Sequence, residues 1–78
     1  MDTNIWMSKA METIKGMPTH KEFLVKDLFE DVEWGALSKG DRQWFGKTFK
    51  NAVKEGEFEG IVFIGEAANK SALYRKES

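Results

Sequence analysis

The chain has 78 residues, no cysteine and a formal net charge of −1. That length holds one domain, spanning 1–78, and the missing cysteines exclude disulfides and thiolate metal sites. The balance of charge gives no overall pull toward nucleic acid, and no apolar run approaches the roughly 20 residues that a membrane span needs.

The first segment reads as a helix from about Thr3 to Lys15, because Trp6, Met7, Ala10, Met11, Ile14 and Met17 fall in one stripe at helical spacing. Asp2 or Thr3 caps its start, and Gly16 followed by Pro18 stops it. The residues before it lack the basic start of a signal peptide, so the expectation is a soluble cytoplasmic protein. Glu22 to Val25 is too short for a helix, and Phe23 and Val25 share a face in an extended chain, which predicts a short strand. Asp27 then starts a second helix, since Asp27 and Glu30 have the spacing of a capping box. Leu28, Phe29 and Val32 supply its buried side, and Trp34–Gly35 ends it.

Ser38 opens a third helix as its N-cap, and Asp41 places negative charge in the first turn, where the helix dipole favours it. Phe45, Phe49, Ala52 and Val53 share one face, and Gly56 sits where a helix C-cap belongs. Gly46 falls near that core side, where a missing side chain lets another helix approach. Ile61 to Ile64 is β-branched and aromatic and predicts a strand. Gly65 to Lys70 reads as a turn, and Ser71 to Arg75 returns as the partner strand.

This order is an α+β winged helix: a helix, a short strand, a helix-turn-helix, and a C-terminal two-stranded hairpin as the wing. A hairpin alone is marginal, so the early strand must pair beside it. The run from Phe23 through Phe29, then Trp34, Gly40–Asp41–Arg42, Phe45–Gly46, Phe49, Val53, Gly56, Ile61 and Tyr74–Arg75, resembles a small domain-of-unknown-function family of bacteria and their phages. The resemblance covers roughly 23–75 and implies a winged-helix-like fold. Its motifs are core and turn positions, so it carries over no binding residues.

Charge is sorted along the chain. Residues 39–54 hold five basic groups against one acid, whereas residues 55–66 hold four acids and no base. Opposite the core face of the third helix lie Gln43, Lys47, Lys50, Asn51 and Lys54, with Lys39 at the near edge. In a helix-turn-helix this surface enters the major groove, where lysines neutralise phosphates and Gln43 and Asn51 reach adenine edges. Lys70 at the hairpin tip and nearby Arg75 are candidate wing contacts. The bland alternative is a solvated helix face and an ordinary turn.

Trp44 falls near the outer face. The favoured reading folds it onto Ala36, Leu37 or the second helix, and the sharper one makes it a protein-contact residue. Met7 and Met11 read as core before dimer face. His20 is the sole histidine and sits in a loop, Ser38 has a capping role, and the acids at 27, 30, 31 and 33 lack calcium-loop spacing. Neither a catalytic group nor a metal or cofactor site is expected. The leading expectation is therefore a binding domain for double-stranded DNA, acting as a small transcriptional regulator or accessory protein. The alternative is a protein-interaction module on the same fold, and dimerisation would suit a domain of this size.

Overall fold

The computed structural model describes residues 2–68 and 71–77 and contains three helices and a three-stranded antiparallel sheet. α1 spans Thr3–Lys15, where the Asp2 carboxylate accepts the backbone N–H groups of Asn4 and Ile5. β1 spans Glu22–Leu24 and is followed by a 3₁₀ turn, Val25–Leu28, and by α2, Asp31–Gly35. α3 (Lys39–Lys54), β2 (Ile61–Glu66) and β3 (Ala72–Lys76) complete the chain.

The expected second helix beginning at Asp27 is thus two pieces. The Asp27 carboxylate accepts the Leu24 N–H at 2.9 Å, which closes a tight turn before Asp27 instead of capping a helix after it. Positions three apart eclipse in a 3₁₀ turn, and Val25 and Leu28 are both buried. Phe29 is extended and enters the core, and α2 restarts from Glu30. Val32, expected on the buried side, is 82% exposed. Lys9 reaches across from α1 to Glu33 at 2.6 Å and holds that carboxyl below its ordinary range.

The sheet order is β1-β3-β2, so the last strand is central and the early strand pairs beside the hairpin. Phe23 and Phe63 both lie opposite Tyr74. The strand read as ending at Ile64 continues to Glu66, because pairing slips by one residue between Phe63 and Gly65. This is a bulge, and Gly65 takes a φ of 135° that side chains rarely adopt. The strand bends there without stopping.

Half of the buried core residues are aromatic. Phe29 packs on Trp6 at 4.5 Å, Trp34 at 5.8 Å and Phe45 at 5.5 Å. Phe49 packs on Phe58 at 4.8 Å and edge-on to Tyr74 at 5.0 Å. Phe45 and Phe49 are neighbours on α3, so that helix joins the two clusters. Met11, expected in the core, is 40% exposed at the outer edge of the α1 stripe.

Tyr74 is fully buried at the centre of the sheet, and its hydroxyl has no hydrogen-bond partner among the described residues. Burial pushes its pKa up to about 12, against an ordinary value of 10. The folded chain therefore holds this proton more tightly than the unfolded one. Stability from this group is complete below pH ~10 and decays as pH rises through about 12, at most by about 1.4 kcal/mol per pH unit. Urea midpoints measured from pH 9 to 12 should show a steeper loss in the natural chain than in Tyr74→Phe. Equal slopes would exclude Tyr74 as the titrating group.

A second long-range device closes α1. The Lys76 ammonium donates to the carbonyls of Ile14 at 2.8 Å and Met17 at 2.7 Å, at and just past the helix end. A cation there satisfies orphan carbonyls and opposes the negative end of the dipole. Lys76→Met keeps the apolar stem and should lower unfolding free energy by roughly 1–2 kcal/mol in urea titration. An unchanged midpoint would show that these bonds contribute nothing net.

Candidate nucleic-acid interface

α3 is fixed at both ends by local chemistry. Ser38 Oγ accepts the Asp41 N–H at 3.1 Å. At the other end Gly56 (φ 83°) donates to Val53 and Glu57 donates to Ala52, the paired bonds of a Schellman cap. Phe45, Phe49 and Ala52 bury one face, which sets the direction of every other side chain.

Lys39, Gln43, Lys47 and Lys54 are exposed. On the flank nearer β1 and the start of β3, a groove of about 440 Å³ is lined by Leu24, Val25, Lys26, Trp34, Arg42, Gln43, Gly46, Lys47, Lys50, Ser71 and Ala72. Four of these are cations and none is an acid. The Lys50 ammonium lies 4.6 Å from the Phe63 ring, a cation–π contact that holds it over β2. The field inside is positive and the walls are partly apolar, so the groove suits an anion carried on an apolar or aromatic body.

The structure gathers three of the residues expected from sequence, Gln43, Lys47 and Lys50, into this groove. It adds Arg42 and Lys26, which sequence reasoning missed as site residues. Arg42 shares a helical flank with Gly46 and Lys50, spacings that the sequence contains. Lys26 follows β1 and reaches the groove only through the tertiary fold.

Other expected residues lie elsewhere. Lys39 and Lys54 are exposed but do not line the groove. Asn51 faces the opposite flank of α3, in a cleft with Trp44. Arg75 is on β3, where it donates to the Glu77 carboxylate at 2.7 and 3.2 Å. This pairing raises the Arg75 pKa and lowers that of Glu77. Side chains alternate along a strand, so Arg75 points away from the buried Tyr74 and from the helices. Lys70 lies outside the described residues.

Two expectations about α3 are corrected. Trp44 does not fold onto Ala36, Leu37 or α2: it is 58% exposed and lines a cleft with α1. Gly46 admits no second helix, because a Cβ built there meets nothing within 4 Å. Gly46→Ala should therefore stabilise α3 by about 1 kcal/mol, seen as a rise of several degrees in Tm. A fall in Tm would mean that the groove is tighter than it looks. Among the described residues, no group of three His, Asp or Glu is placed to hold a metal, and no helix could cross a membrane.

The chain belongs to the DUF1413 family, a domain of unknown function, whose profile matches residues 8–76. The solved structure of the SCCmec type IV protein LP1413, a nucleic acids binding protein, is similar with a TM-score of 0.74. The two are 19% identical, and the match covers 97% of this chain and 87% of that one. At that identity the likeness establishes a shared fold. No curated protein sequence matches the chain.

Proposed function

We propose that this member of the DUF1413 family is a non-enzymatic winged-helix domain that binds nucleic acid, with duplex DNA as its target. α3 is its recognition helix and the β2–β3 hairpin its wing. The carrying observation is the convergence of Lys26, Arg42, Lys47 and Lys50 on one groove that no acid lines. Lysine and arginine placed this way neutralise successive phosphates, while exposed Gln43 is free to bond a base edge. Lys39 and Lys54 extend the cationic surface along the exposed side of α3. Asn51, Lys70 and Arg75 are secondary contacts in this reading, with Arg75 already neutralised by Glu77. The nucleic-acid-binding protein that shares the fold supports the same partner class. Acting this way, the domain serves as a small transcriptional regulator or accessory protein.

The test is fluorescence anisotropy of a labelled duplex pool across a salt series, with a single strand of matched sequence alongside. Four or five phosphate contacts predict a log–log salt slope near −4, so affinity falls about 10²-fold between 50 and 200 mM salt. Flat salt dependence or no binding at low salt would overturn the nucleic-acid reading. Tighter binding of the single strand would overturn major-groove docking alone.

A further inference from the structure

The flank of α3 turned away from the basic groove is its electrostatic opposite. A cleft of about 500 Å³ runs between α1 and α3, and no lysine or arginine lines it. Trp44 and Met11 stand exposed beside it, while Met7 and the buried Phe58 line it as well. Glu55 and Glu57 line the same cleft, and an adjoining groove shares Met11, Glu57 and Phe58 and adds Ile14, Glu59 and a single cation, Lys15. Most of the acidic run after α3 thus borders the apolar surface that contains Trp44.

We propose that this cleft docks a basic amphipathic helix of another protein, with an apolar anchor against Trp44 and Met11 and lysines or arginines facing Glu55 and Glu57. Large apolar side chains at one helical face, flanked by cations, match both the cleft and its rim. A second copy of this chain is a poor occupant, because a two-fold contact would set the two acidic rims against each other. The same carboxylates repel nucleic acid, so this surface stays open when the basic groove is filled. An exposed tryptophan beside apolar neighbours is the residue type that carries binding energy at such contacts. Docking at this cleft is independent of what fills the basic groove.

The experiment follows the Trp44 indole N–H in ¹H–¹⁵N spectra, with Trp6 and Trp34, which pack against the core, as internal controls. The probes are amphipathic peptides about four turns long that share two leucine anchors and carry lysine, glutamate or serine elsewhere. The lysine peptide should shift the Trp44 resonance and bind at least about tenfold tighter than the other two. Trp44→Ala, or Glu55→Lys with Glu57→Lys, should each weaken it about tenfold or more. Lys47→Ala with Lys50→Ala should leave it unchanged; none of these side chains is buried, and an unchanged far-UV spectrum verifies that each variant is folded. Equal binding of the three peptides, or shifts confined to other surfaces, would overturn the proposal. A Trp44 shift that grows with protein concentration alone would overturn it in favour of self-association.

Discussion

Phe49→Ala is expected to cost about 3–5 kcal/mol, enough to leave much of the population unfolded at 37 °C. Its ring is fully buried and packs on Phe45, Phe58 and Tyr74, so it connects α3 to the sheet and to the other aromatic cluster. Alanine removes most of that contact, and the rigid rings around it cannot collapse into the gap. A domain of this length holds only about 4–12 kcal/mol in total. Urea unfolding followed by circular dichroism measures the loss. Val32→Ala, at the exposed face of α2, should change stability by less than about 0.5 kcal/mol. A cost below about 1 kcal/mol for Phe49→Ala would mean that α3 does not pack on the sheet through this ring.

The second large effect concerns binding. Arg42→Ala, Lys47→Ala and Lys50→Ala combined should remove duplex binding at 150 mM salt. They should also reduce the magnitude of the log–log salt slope by about 2–3, close to one for each lost phosphate contact. None of the three side chains is buried, so the fold should survive, and an unchanged far-UV spectrum would verify it. Arg75→Ala is expected to alter affinity less than twofold, because Glu77 already accepts two of its hydrogen bonds. Undiminished binding by the triple variant would place the nucleic acid on another surface. A large effect of Arg75→Ala would place it on the outer face of the sheet.

Much of the architecture is legible in the sequence. α1 runs from Thr3 to Lys15, Ser38 caps α3, Gly56 closes it, and β1 pairs beside the hairpin. The first three rest on signals confined to a few neighbouring residues, whereas the place of β1 follows from the order of elements and the marginal stability of a lone hairpin. Caps, stop signals and apolar periodicity act locally, so a linear reading can find them. The candidate site was only half legible for the same reason. Gln43, Lys47 and Lys50 share α3, whereas Lys26 joins them through packing, and Asn51 lines the cleft on the other flank with Trp44.

The sequence by itself determined the α+β class, the order of elements, the aromatic core and the sorting of charge into a basic helix and an acidic run. Tertiary structure alone decided the rest. It broke the second helix: Val25 and Leu28 enter the core from a 3₁₀ turn, and Phe29 enters from an extended residue before α2 begins. It left Trp44 exposed at the edge of the cleft between α1 and α3. It also brought Lys76 to the end of α1 and aimed the two flanks of α3 at opposite charge environments. Helical periodicity tells which residues leave the core face, but only neighbouring elements decide what each of them meets.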